Sequence, residues 1–232
     1  MLTDIVEKIS VRKVDFEKVK ANVRVNKYDN DRLEQYTRRE NIRIFNFPTA
    51  RGEPLTEAVV NLLNEMSSFR PQGQDSQEGL TPTHKFCAEE INVCHRTGGA
   101  SAEGVPDSRP IIVRFLSRQS GFDVFKCKKK LRLMDNYKAN RATGRKAVFI
   151  TEDLMQLRVK MKDYVKSIEG VTNVFTTDGN IHCTKDNRHI VINNPDDLFK
   201  VITQPDWKTL NFNGLTYNVG QPGGWTNIMF KH

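Results

Sequence analysis

The chain has 232 residues, with 36 Lys and Arg against 28 Asp and Glu, for a formal charge of +8. That length fits one or two small domains plus an extension, and the basic excess points to a polyanionic partner, either nucleic acid or an anionic membrane surface. No run of about 18 apolar residues occurs, so no transmembrane helix is expected. The start Met1-Leu2-Thr3-Asp4-Ile5 lacks the basic and apolar stretches of a secretory signal. The four scattered cysteines, Cys87, Cys94, Cys127 and Cys183, are then expected as reduced thiols, in cytoplasm or nucleus.

Residues 2–33 place Leu2, Ile5, Ile9, Arg12, Phe16, Val19, Val23, Asn26, Asn30 and Leu33 at 3-4 spacing, seven of the ten being apolar. A seam of that length predicts a coiled coil, with Asn26 and Asn30 as polar positions that set register and strand number. The competing reading is a single helix packed on the chain's own domain. Met1 opens directly on the seam, which fits a longer parent coil.

Asn41–Phe47 alternates and ends at Pro48, as a strand does. Residues 54–67 open on Pro54 and gather Leu55, Val59, Leu62, Leu63 and Met66 on one helical face. Residues 70–83 and 97–108 are polar and rich in Gly, Ser and Pro, as loops are. Strands are predicted at 91–96, 110–115 and 147–150. Ser117 is placed to cap a helix reaching about Leu133, with Phe122, Phe125 and Leu131 inward. The order over 41–150 is then β-α-β-β-α-β, the ferredoxin-like split βαβ order used by RNA-recognition motifs.

A second unit follows. Thr151 reads as a cap, with Glu152 and Asp153 in the first turn of a helix whose buried face holds Leu154, Leu157, Met161, Tyr164, Val165 and Ile168. Arg158, Lys162 and Lys166 fall largely off that face. Strands at 173–176, 180–184 and 189–192 and a helix at 195–202 come next, with Asp178-Gly179 as a hairpin turn. Residues 203–232 show no period and are left unassigned.

Charge is concentrated. Between Arg109 and Lys146 twelve basic residues meet only Asp123 and Asp135, so this window alone carries +10. Lys126, Lys128, Lys129, Lys130 and Arg132 lie late in the second helix, and Lys138, Arg141, Arg145 and Lys146 in the following loop. Such a block suits phosphate neutralisation, with steep salt dependence and little sequence preference. Alternation turns Arg43, Ile112 and Arg114 to the open side of the sheet. Arg43 stands where the shorter motif of an RNA-recognition motif carries a stacking aromatic, and Pro110 and Ile112 where the longer one carries its exposed aromatics, so backbone contacts are expected over base reading. Phe175 reads as core before it reads as a base-stacking ring. His84-x-x-Cys87 and Cys94-His95 match no zinc template, and no metal or other cofactor is expected. No GxSxG, P-loop, HExxH or CxxC motif occurs, so no enzyme is expected.

Three stretches together resemble the first-open-reading-frame proteins of LINE-type (non-LTR) retrotransposons. Residues 32–45 (RLEQYTRRENIRIF) are similar to that family's junction between coiled coil and RNA-recognition motif. Residues 108–115 (SRPIIVRF) resemble its third strand, and Ile150-Thr151-Glu152-Asp153-Leu154 with Leu157-Arg158 resembles the entry to its C-terminal domain. The resemblance covers about 30–202. It implies a trimeric coiled coil, an atypical RNA-recognition motif and a small C-terminal domain that together grip single-stranded RNA. It also implies nucleic-acid chaperone activity within a cytoplasmic, alternatively nuclear, ribonucleoprotein. RNA contacts then fall to Arg96 and Arg109, to Lys126–Arg132 and to Arg158, while the family's aromatic contact in the C-terminal hairpin has no clean match, Phe175 or Thr176 occupying that region.

The expectation is therefore an α+β chain: a coiled-coil helix at 1–38, an RNA-recognition-motif domain at 39–150, a small α/β domain at 151–202 and a tail at 203–232. Leu2, Ile5, Ile9, Phe16, Val19, Val23 and Leu33 form the oligomer. The partner is single-stranded RNA, alternatively single-stranded DNA, and not a membrane. The alternative is a coiled-coil interaction protein, a domesticated or degraded copy without nucleic-acid activity.

Overall fold

The computed structural model describes residues 2–49, 52–70, 84–99, 107–140, 142–201, 208–212 and 215–219. The fold is mixed α+β, with antiparallel sheets and a long N-terminal helix. It divides into two compact units, Arg38–Asp153 and a unit joining Met1–Thr37 to Leu154–His232. No described helix is long and apolar enough to cross a membrane.

In the Arg38–Asp153 unit, four strands pair in the order β2-β3-β1-β4: β1 (Asn41–Phe45), β2 (Ile91–Arg96), β3 (Ile111–Phe115) and β4 (Phe149–Glu152). All three pairings are antiparallel. Helix α2 (Leu55–Ser68) lies between β1 and β2 in sequence, and α3 (Arg118–Cys127) between β3 and β4. The period-two pattern sends Ile42, Ile44, Ile111, Val113, Phe115 and Ile150 to one face. Val59, Leu62, Leu63 and Met66 of α2, Val124 of α3 and Leu131 cover that face and close a single core. Each buried aliphatic side chain contributes about 1.5–3 kcal/mol, which fixes the strand register through its face preference.

Local signals set the ends of these elements. Asn46 takes a positive φ of 57° and stops β1 ahead of Pro48. The Ser117 hydroxyl accepts from the Gln119 N–H at 3.1 Å, capping α3 as expected. The helix does not run on to Leu133 in one pitch. It ends at Cys127 and tightens into a 3-10 helix, Lys128–Arg132, in which Leu131 is buried. Phe122, expected inward, is 54% exposed, and Ser120, Gly121 and Val124 hold the buried face instead.

The other unit contains α1 (Leu2–Thr37), α4 (Gln156–Lys166), the sheet β5-β6-β7 (Val171–Thr177, Asn180–Lys185, Arg188–Ile192), a 3-10 helix Pro195–Lys200, and a hairpin of β8 (Lys208–Phe212) with β9 (Leu215–Val219). Leu157, Met161 and Val165 of α4 pack with Ile181, Cys183, Ile192, Leu198 and Val201, and Tyr28 of α1 packs against this cluster. Asp178 and Gly179 both have positive φ, 53° and 78°, as a two-residue hairpin turn of the twisted-strand type requires.

Three expectations are corrected. Thr151 and Glu152 do not open a helix, because β4 continues to Glu152 by pairing with β1, Arg43 opposite Thr151 and Ile42 opposite Glu152. Helix α4 starts only at Gln156 and has no side-chain cap. Arg158 does not lie off the buried face of α4: it is 5% exposed. Part of the tail left unassigned forms β8 and β9, with Phe212 opposite Leu215. The loops expected at 70–83 and 97–108 fall mostly outside the described residues.

Candidate nucleic-acid interface

The open face of the β2-β3-β1-β4 sheet is built by the residues that alternate with the core. Arg43 lies between Ile112 and Thr151, and Asn41 lies opposite Arg114. Arg43 donates from Nε to Asp153 at 2.5 Å, Arg38 reaches the same carboxylate at 3.3 Å, and Asn41 donates to it at 3.0 Å. Asp153 is 2% exposed. A buried carboxylate needs such donors to offset its lost hydration. Arg43 is thus oriented by Asp153 at the base of the face, and Arg114, half exposed, stands 3.4 Å from Glu40.

This face also carries an aromatic pair outside the usual aromatic positions of the two motifs. Phe45 and Phe149 are register partners whose rings stack, with centroids 4.7 Å apart and planes 7° apart. Phe149 is 45% exposed. The signal was present in the alternation itself. Phe45 shares the parity of Arg43, and Phe149 precedes the core residue Ile150. Attention to the usual aromatic positions of the two motifs missed both.

The basic run falls at the end of α3. Lys126 pairs with Asp123 at 2.9 Å, Lys128 lies over the Phe125 ring, and Lys130 donates to the Ser67 carbonyl at 2.9 Å. Among the described residues, Lys129, Arg132 and Lys146 are exposed and make no hydrogen bond or ion pair. In the loop before β4, Lys138 pairs with Asp135, and Arg145 donates to the Lys138 and Asp135 carbonyls. Arg141 lies outside the described residues.

Three arginines singled out through the resemblance have internal partners. Arg96 donates to the Phe47 carbonyl at 2.9 Å and to Thr49 Oγ1 at 2.8 Å, bonds the Arg109 carbonyl, and faces Asp107 at 3.4 Å. Arg109 forks onto Asp107 and donates to the Gly98 and Gly99 carbonyls at 3.0 Å. Together they tie the segment after β2 to the segments after β1 and before β3. In the other unit, Arg158 donates to Asp31 at 3.0 Å and to the Gly179 carbonyl at 2.8 Å.

That second unit has its own aromatic surface. Phe175, expected in the core, is 50% exposed and stacks on His182, with centroids 5.0 Å apart. His182 Nδ1 lies 3.1 Å from His189 Nε2. On α1, Ile9, Phe16, Val19, Val23 and Leu33 are all more than half exposed, and the side chains of Leu2 and Ile5 fall outside the described set.

His84 turns to Glu90 at 2.9 Å and not toward Cys94 or His95, and no group of three or more metal-type ligands occurs among the described residues. Burial raises the Cys94 and Cys183 thiols above their ordinary range, and a hydrogen bond to Glu89 with some burial raises Cys87. None of the three is an activated thiolate.

No protein-family model matches this chain, and no curated protein matches it.

Proposed function

We propose that this chain binds single-stranded RNA, chiefly through phosphates, as the chaperone-type component of a retrotransposon ribonucleoprotein. The observation that carries the reading is that the basic side chains Lys129, Arg132 and Lys146 are exposed and have no acidic partner among the described residues. Cations in that state are available to displace counterions from a nucleic-acid backbone. The sheet order β2-β3-β1-β4, with one helix between β1 and β2 and one between β3 and β4, supports reading Arg38–Asp153 as a ferredoxin-like unit of RNA-recognition-motif type. The sequence resemblance to LINE-type first-open-reading-frame proteins points the same way. The exposed seam of α1 supports homo-oligomers, and the resemblance makes them trimers.

A filter-binding titration of the full chain on single-stranded RNA tests this. Affinity falls steeply with salt, and converting Lys129, Arg132 and Lys146 to Ala lowers the log–log slope by about 2–3 and weakens all sequences alike. Absent or salt-insensitive binding refutes it. A second reading, an assembly protein without nucleic-acid activity, draws on the internal partners of Arg96, Arg109 and Arg158. It predicts an oligomer with no RNA affinity.

A further inference from the structure

We propose that Phe45 and Phe149 form a base-stacking subsite at the β1–β4 edge of the open sheet, which holds one nucleobase of a single strand against the outer face of Phe149. The inference rests on the single-strand reading above and changes its mode: phosphate contacts become anchored by one stacked base.

The geometry carries it. The two rings are near parallel, at 7°, and 4.7 Å apart between centroids, so each occupies one π face of the other. Strand β4 is an edge of the sheet, since the order is β2-β3-β1-β4. Among the described residues no strand therefore lies beside the remaining face of Phe149, and 45% of the residue is exposed. A planar aromatic ligand continues such a stack in the offset geometry that two rings already adopt. An exposed aromatic pair on a sheet face is a feature to be explained, whereas a single exposed aliphatic is not.

Charge selects the kind of planar ligand. On the same face Arg43 lies one strand repeat from Phe45, about 7 Å along β1. Lys146, exposed, lies three residues before the first residue of β4, Phe149. Cations flanking an open ring suit a base with a phosphate on either side, the combination by which single strands are bound without sequence preference. The one carboxylate that follows in this alternation among the described residues, Asp153, is 2% exposed and shared by Arg38 and Arg43, so the three together leave a net positive charge beside Phe45, Phe149 and Thr151.

The test compares two probes on the full chain at fixed salt: a single-stranded oligouridylate of about ten nucleotides and the same backbone made abasic. The wild-type chain binds the base-bearing strand about tenfold more tightly. Phe149→Leu, which keeps an apolar side chain but no π face, removes that preference, and Phe149→Tyr retains it. Neither substitution alters the salt slope, because no phosphate contact is lost. Circular dichroism confirms that both variants fold. If the wild-type chain binds both strands equally with a steep salt slope, phosphate binding stands and the stacking subsite falls. If it binds neither, both fall. If Phe149→Leu leaves the preference intact and instead lowers the sedimenting mass, the pair covers a protein surface and the proposal is overturned.

Discussion

Arg158 offers the sharpest separation between an RNA contact and a structural tie. Its side chain is 7% exposed and that of Asp31 is 12% exposed, with 3.0 Å between them. The same guanidinium holds the Gly179 carbonyl at 2.8 Å and lies 3.4 Å from Asn180 Oδ1. Removing one side of a buried ion pair costs about 3–5 kcal/mol, because the remaining charge keeps its desolvation penalty. Arg158→Ala should therefore cost about that much, a large share of a typical domain's stability of about 5–15 kcal/mol. Arg158→Lys keeps the charge but not the fork, and should cost about 1–3 kcal/mol. Urea unfolding followed by circular dichroism reads both values. Asp31→Ala should match Arg158→Ala, and the Asp31→Leu/Arg158→Met double variant should recover most of the loss. If Arg158→Ala unfolds at the wild-type midpoint yet loses RNA affinity, the guanidinium serves a ligand and the reasoning is wrong.

Three further outcomes follow from the structure. Gly179 has φ 78°, and a Cβ there meets the Gln35 side chain, so Gly179→Ala should cost at least about 1–2 kcal/mol, visible as a lowered Tm. Burial alone pushes Glu90 up, but hydrogen bonds from Ser120 and His84 and the His84 charge outweigh it and hold Glu90 below its ordinary value of 4.5. Its folded pKa is depressed, so its stabilisation is present above about pH 4.5 and is lost as pH falls through the folded value. Acid unfolding of Glu90→Gln should show a shallower pH dependence there. Changing Ile9, Phe16 and Val19 to Ser should lower the sedimenting mass, and an unchanged mass would remove the seam as an assembly surface.

Much of the core was readable because period and face agreed. Ile42 and Ile44 alternate, Val59, Leu62, Leu63 and Met66 recur at helical spacing, and all six are buried. The Asp178-Gly179 turn followed from the demand for positive φ. The failures have physical causes. Thr151-Glu152-Asp153 resembles a helix start locally, but pairing with β1 extended the strand, and Arg38 and Arg43 took the Asp153 carboxylate. Arg158 looked like a surface cation because its partner stands 127 residues away on α1. The β8–β9 hairpin was legible and missed: in the sequence, Asn213-Gly214 is the kind of dipeptide that gives the strongest short-range hairpin signal. At the candidate interface the sequence located the basic run but not which cations are held. That depends on carbonyls such as those of Ser67, Asp135 and Lys138, which no residue pattern announces.

Helix α1 is gripped by its own unit through Tyr28, Asp31 and Gln35, which recur at helical spacing and contact the Ile181 cluster, Arg158 and the Met155 N–H. Each lies two residues, about 200° of helical rotation, from a seam position, namely Asn26 or Leu33. The held stripe and the apolar seam thus run on opposite sides of one rod. The angle between them is set by residue count alone. A single residue inserted near position 24 would turn the upstream seam by about 100° relative to the held stripe while leaving every side chain in place. The number of residues in α1, as well as their kind, fixes the direction in which the seam faces.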